Sequence, residues 1–392
     1  MTTAVIASAV RSAIGKKKGA FATMRADDLL AELLRAVVAR TKASGDGALI
    51  EDVIAGCVTQ IGEQGFNIAR NAALIAGFPV ETTGTTVNRQ CGSSQQALHF
   101  AAQAIMSGQM ESVIAGGIEV MSRIPMGADA ALGVAGVAPA IPLSEKFNAK
   151  YTFIPQHASA EMIAEKWKIS RADCEKFSFD SHKRAAAARE SGRFRGEILP
   201  IAVKAADGTE RMVTDDEGIR PDTSLEKLAT LAPVVKPEGV VTAGTSSQIS
   251  DGAAAVWVTS EARAKALGLT PRARIVATAV AGVDPTMMLH GVIPATHKVL
   301  AKAGLQKKDI GLVEINEAFA SVPLAWAKEL DWDLSTVNVN GGAIALGHPL
   351  GCSGVRLMTT LLAEMDARKV RYGLQTMCIG FGQATATIVE RF

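Results

Sequence analysis

Apolar and polar positions alternate along this chain in two rhythms. Short apolar runs at Asp52–Val58, Ser112–Ala115, Ala273–Thr278, Ile310–Ile315 and Gln375–Ile379 have the length and flanking residues of buried strands. Longer alanine-rich stretches, among them Ala26–Thr41, Ser94–Met106 and Gly354–Arg368, repeat their apolar residues at helical spacing. Strands sandwiched between helices predict an α/β fold. The first residues, Met1–Ala7, run straight into strand-like sequence without a basic segment and a long apolar stretch, so no secretory signal is expected. No window reaches the roughly 18 uninterrupted apolar residues of a membrane helix.

A weak internal repeat refines this picture. Val87-Asn88-Arg89-Gln90-Cys91-Gly92 is echoed by Val337-Asn338-Val339-Asn340-Gly341-Gly342, an offset of 250 residues from Asn88 to Asn338. Ser112–Ile118 is echoed by Leu374–Gly380, in the same order and at similar separation. The pattern predicts two similar α/β halves facing each other, with loops meeting at a shared site. Residues 1–119, completed by 249–270, form the first half, and 271–392 the second.

Residues 120–248 break the rhythm. They hold turns at Pro125, Pro139, Pro142 and Pro155, a helical stretch from Ser170 to Glu190, and polar connections around Asp207–Asp222. Ser170 with Asp173 reads as a helix N-cap followed by an acidic first turn. The segment is expected to be an insertion lying over the core and walling one side of a ligand pocket.

Charge adds an exclusion. With 41 basic and 39 acidic residues the net charge is +2, which disfavours a general nucleic-acid binder. The five cysteines (57, 91, 174, 352 and 378) are widely spaced and include no CxxC pair. Neither a zinc site nor a disulfide scaffold is suggested, and free thiols in a reducing compartment fit better.

Four positions are candidates for chemistry. Cys91 lies where a β-type run gives way to a helical pattern, a junction whose free N–H groups and dipole favour a thiolate. His348 sits among Gly341, Gly342, Gly347 and Gly351 beside Pro349, in a turn able to press an imidazole against a ligand. Cys378 ends an apolar strand before Gly380-Phe381-Gly382, where a second thiol can pass a proton. Asn316 follows the run at 310–315 and can hold a water or donate to an oxyanion. Taken singly, each has a bland alternative: a packed cysteine, a histidine satisfying loop carbonyls, or a cap.

Together the segments resemble the thiolase family over nearly the whole chain. VNRQCGSS around Cys91, TAGTSSQISDGAAA at 242–255, NEAFA at 316–320, NVNGGAIALGHPLGCSG at 338–354 and MCIGFG at 377–382 occur in the family's order. The resemblance implies a five-layered α-β-α-β-α core of duplicated halves, with an inserted loop domain. It implies that Cys91 is the acyl-carrying nucleophile, that His348 takes its proton, and that Cys378 protonates the departing acetyl-CoA enolate. Asn316, through a water, and His348 would stabilise that enolate, while the N–H groups of Cys91 and Gly380 would meet the tetrahedral oxyanion. Ser247 corresponds to a serine touching the pantetheine arm of coenzyme A, with Ala243, Met288, Ala318 and Phe319 beside it and Arg220 near the adenine or its phosphates. Coenzyme A enters as substrate, and no cofactor or metal is implied.

The family likeness also implies a cytoplasmic homodimer or homotetramer working in fatty acid metabolism. Departures from the acetoacetyl-specific pattern occur at Gln156-His157, at Asn88-Arg89-Gln90 and at Phe381. They favour a broader 3-oxoacyl-CoA thiolase, with His157 in the acyl pocket, over an acetyl-CoA acetyltransferase. A decarboxylating ketoacyl synthase and a non-catalytic acyl-CoA-binding relative are the competing readings, and a second thiol at 378 argues against both.

Overall fold

Buried along its whole length, the strand Ala4–Arg11 lies where two similar sheets meet. The computed structural model describes residues 2–41, 46–131, 143–205 and 207–392, so Pro139 and Pro142 fall outside the described residues. On one side Ala4–Arg11 pairs antiparallel with Ser250–Ser260, which pairs antiparallel with Ser112–Val120. Asp52–Gly56 and then Thr83–Val87 follow in parallel. On the other side Ala273–Gly282 pairs antiparallel with Gln383–Arg391, and that strand antiparallel with Tyr372–Ile379. Leu312–Ile315 follows in parallel, and Val337 bridges Val313 in parallel beyond it. The pairs Val5–Arg274 and Ile6–Ala273 join the two sheets.

Each half therefore repeats one pairing order: antiparallel, antiparallel, parallel, parallel. Ser112–Val120 and Tyr372–Ile379 occupy equivalent places, as do the chain at Val87 and at Val337. Both echoes in the sequence are thus echoes in structure.

Five layers result. Helices Ala26–Ala39 and Ile68–Ile75 cover the outer face of the first half, and Val292–Ala303 and Ser321–Leu330 that of the second. Between the sheets lie Ser93–Ser107 and Ser353–Arg368, packed on each other and on strands of both halves. The latter helix buries Val355, Leu357, Met358, Leu361, Leu362 and Met365 and so is apolar nearly all round, as a helix between two sheets must be. No helix among the described residues is long and apolar enough to cross a membrane.

Several boundaries differ from the sequence expectation for local reasons. The strand expected to reach Val58 stops at Gly56, because the N–H groups of Val58 and Thr59 turn to the buried Glu119 carboxylate at 2.9 and 3.1 Å. The strand from Ser112 runs on to Val120, held by its pairing with Ser250–Ser260. In the 120–248 segment, Ser170 caps Arg171–Glu190 through a capping box with Asp173, and Gln156–Lys166 precedes it.

Candidate active site

Cys91 stands between the strand Thr83–Val87 and the helix Ser93–Ser107. The turn is pinned from both sides. Ser93 Oγ accepts the Arg89 N–H at 3.0 Å and donates to Gln90 O at 2.5 Å, while Asn88 Nδ2 reaches Val58 O at 3.0 Å. Gln90 is thereby held at φ 45°, a left-handed conformation that costs a non-glycine residue about 1 kcal/mol or more. That strain, adjacent to the thiol, is tolerated because these three flanking bonds over-determine the turn.

The Cys91 sulfur is buried, and burial pushes its thiol up to about 11. Opposing this, the backbone N–H groups of Gly380 and of Cys91 itself, and the Gln156 side chain, offer hydrogen bonds to the sulfur. The expected thiolate at the helix N-terminus is therefore not the resting form; desolvation outweighs the dipole. Both backbone N–H groups therefore face the same sulfur.

His348 hangs in a loop seated against the first half. A Cβ at Gly347 would meet Ser250 Oγ at 2.2 Å, and one at Gly351 would meet Ile118 O at 2.4 Å. Gly347 and Gly351 let the loop approach the first half's strands closely. The backbone N–H of His348 donates to Gln248 O at 3.1 Å.

The imidazole's tautomer follows from one hydroxyl. Ser353 Oγ lies 2.5 Å from His348 Nδ1 and also donates to Pro349 O at 2.8 Å. With that proton on Pro349 O, Ser353 Oγ accepts from Nδ1, and the Asn316 Nδ2 donor 3.4 Å from Nε2 calls for the same tautomer. Nε2 is left with its lone pair. Burial, aided by the positive charge of Arg356, lowers the imidazole to about 3, so His348 is neutral near pH 7. It is a base with its lone pair facing the site.

Asn316 Nδ2 approaches that lone pair at 3.4 Å. The Asn316 side chain also donates toward the Cys378 sulfur, while its Oδ1 is buried with no hydrogen-bond partner among the described residues. Burial and the proximity of Cys91 both push the Cys378 thiol well up, so the two sulfurs share one electrostatic neighbourhood. At most one of them can ionise at a time.

Three buried groups to which the sequence assigned no role hold this arrangement. Glu119 accepts from Val58 N, Thr59 N, Gln64 Nε2 and, at 3.0 Å, from Gly351 N in the His348 loop. Glu317 accepts from Ser181 Oγ, Asn338 Nδ2 and Ile344 N at 2.7, 2.8 and 3.1 Å. Asn338 clasps the strand before Asn316 by bonding both Ile315 N and Ile315 O at 2.9 Å.

The structure thus brings Cys91, Gly380, Cys378, Asn316 and His348 together. Ser247 lies close by in the chain's folding, since its N–H donates to Ala318 O at 2.9 Å and Ser246 bridges Phe319. Ala243 is exposed on the turn leading to Ser247. Met288 is buried in the same core cluster as Ala318 and Cys378. Arg220 is exposed, its backbone N–H bonded to His182 Nδ1 at 3.1 Å. His157 is exposed too; its neighbour Gln156 is the residue that turns to Cys91, a distinction of helix face that the sequence did not resolve.

Two family models cover the chain: the thiolase N-terminal domain over residues 4–262 and the thiolase C-terminal domain over residues 269–391. The chain belongs to the thiolase family. Over 399 residues, with all of both chains covered, this thiolase is 51% identical to a 3-ketoacyl-CoA thiolase of Vibrio cholerae serotype O1. It is 48% identical, again over all of both chains, to a 3-ketoacyl-CoA thiolase of Escherichia coli O1:K1 / APEC. Among solved structures it matches human mitochondrial 3-ketoacyl-CoA thiolase at TM-score 0.90 and 38% identity, covering 100% of this chain and 99% of that one. The Bacillus anthracis acetyl-CoA acetyltransferase matches at TM-score 0.92, with the same identity and the same coverage of each chain.

Proposed function

We propose that this thiolase is a 3-oxoacyl-CoA thiolase, cleaving its substrate with free coenzyme A into acetyl-CoA and a shortened acyl-CoA. The reading rests chiefly on the meeting of two buried thiols, one from each half, beside a neutral imidazole with a free Nε2 lone pair. Identity of about half the chain to enzymes named 3-ketoacyl-CoA thiolase favours it over the acetoacetyl-specific alternative.

In the proposed sequence, His348 Nε2 takes the Cys91 proton and the sulfur attacks the 3-keto carbon. The C2–C3 bond breaks, its electron pair leaves on acetyl-CoA as the enolate, and Cys378 supplies the proton that quenches it. The acyl group stays on Cys91 as a thioester until coenzyme A attacks it; the coenzyme A thiol proton goes to the Cys378 thiolate, and His348 returns the proton it holds to the departing Cys91 sulfur, restoring both thiols. Gly380 and Cys91 N–H groups stabilise each tetrahedral oxyanion; Asn316, through a water, and His348 stabilise the enolate. Lost donors of this kind each cost on the order of 3 kcal/mol of barrier. Ser247, Ala243, Met288, Ala318, Phe319, Arg220 and His157 are assigned to the coenzyme A and acyl walls, the pairing of 246–247 with 318–319 beside Asn316 being the support.

A cytoplasmic homodimer or homotetramer serving β-oxidation is the setting the family likeness favours. The test is thiolysis: 3-oxoacyl-CoA must be consumed beyond one equivalent per chain only when free coenzyme A is present, with acetyl-CoA formed in equal amount. A requirement for malonyl-CoA with release of carbon dioxide, or binding without turnover, overturns the reading.

A further inference from the structure

An aromatic patch begins one residue from the proposed oxyanion donor. Phe381, directly after Gly380, stacks on Phe153 with ring centroids 5.4 Å apart and planes 21° apart. Phe147 meets Phe381 edge-on at 6.3 Å and packs against Tyr151 at 5.5 Å. The patch is not closed over: Phe153 is 53% exposed and Tyr151 is 45% exposed.

Both ends of the patch are tied to the Cys91 sulfur. Phe381 follows the Gly380 N–H that points at it, and Phe153 precedes Gln156, whose side chain also reaches it. Phe381 is moreover held at φ 60°, a left-handed conformation where glycine would be unstrained. A bulky residue kept in such a conformation beside a reactive site, with its ring on an open apolar face, calls for a functional reason.

We infer that Phe381, with Phe153 and Phe147, forms the apolar wall along which the acyl tail of the substrate lies while its carbonyl is attached to Cys91. The occupant is a straight aliphatic chain extending beyond the 3-keto carbon, and the wall sets the preference for long over short substrates. This inference rests on the thiolase reading. The insertion segment supplies one face and the second half the other, so the pocket's length depends on their contact at Phe381.

The experiment compares wild type with Phe381→Gly and Phe153→Ala, using acetoacetyl-CoA and 3-oxodecanoyl-CoA. A wall of this kind contributes contacts equivalent to one or two buried methylenes, each worth about fourfold. The ratio of kcat/KM for the long substrate to that for the short one should fall on the order of tenfold in each variant. Phe381→Gly relieves the positive φ but gives up the ring contacts, so a thermal melt on each variant checks that it is folded while the ratio is read. A parallel fall for both substrates, or an unchanged ratio, overturns the inference while leaving the thiolase reading intact. Wild-type enzyme inert toward every 3-oxoacyl-CoA sinks that reading, and the acyl wall with it. Phe153, being half exposed, keeps the test available should Phe381→Gly fold poorly.

Discussion

Replacing Asn316 with alanine should separate catalysis from stability. The side chain is fully buried, its Nδ2 lies 3.4 Å from His348 Nε2, and its Oδ1 has no partner among the described residues. Removing it deletes one long hydrogen bond, worth about 1 kcal/mol or less, and the contact to the Cys378 sulfur. It also removes a buried carbonyl oxygen whose desolvation costs about 1–3 kcal/mol when unpaired. These contributions oppose each other, so folding stability should change by no more than about 1 kcal/mol, a few degrees of melting temperature. Catalysis has no such compensation. A missing enolate donor should lower kcat by about a hundred- to a thousandfold. Steady-state thiolysis of acetoacetyl-CoA and a thermal melt on the same preparation read both quantities. Near-normal turnover, or a collapse of stability large enough to account for lost activity, would refute the role assigned to this amide.

Two further outcomes follow from the geometry. With the Cys91 thiol pushed up to about 11, the thiolate should be about one part in ten thousand of the free enzyme at pH 7. Alkylation of Cys91 by iodoacetamide should therefore climb about tenfold per pH unit from pH 7 toward pH 10; a plateau near neutrality would contradict the protonated resting state. A Cβ at Gly92 would stand 2.3 Å from Ile379 Cδ1, so Gly92→Ala should destabilise by about 1–3 kcal/mol and displace Cys91 relative to Cys378. Denaturant unfolding together with a loss of at least about tenfold in thiolysis checks this; unchanged values of both count against the close packing of the halves.

The duplicated architecture was legible because two short strand-and-turn patterns recur at nearly constant separation, and strands at equivalent places must repeat their neighbours. Cys91, His348, Cys378 and Asn316 stood out as candidates, each where an apolar run meets glycine or a polar turn, and the family resemblance favoured them over their bland alternatives. What lay hidden is non-local. The strand Gln383–Arg391, alternating alanine and threonine before Ile388 and Val389, carries too little apolar signal alone and is made by its pairing on both edges. Glu119 and Glu317 each gather donors from segments far away in the chain, which no local pattern announces. Gly92 has an ordinary φ of −86°, and its missing side chain admits Ile379 from the other half. Whether Gln156 or His157 faced the sulfur depended on the rotation of one helix, which a two-residue match cannot set.

The most direct test follows the acyl group itself. Incubating the thiolase with 3-oxooctanoyl-CoA in the absence of free coenzyme A, then quenching in acid, should leave a hexanoyl group on the peptide containing Cys91. One acetyl-CoA should be released for each chain acylated, and Cys91→Ala should give neither. Acetyl-CoA released from the wild type without that adduct, or an adduct carried by Cys378 instead, would contradict the assignment of Cys91 as the nucleophile.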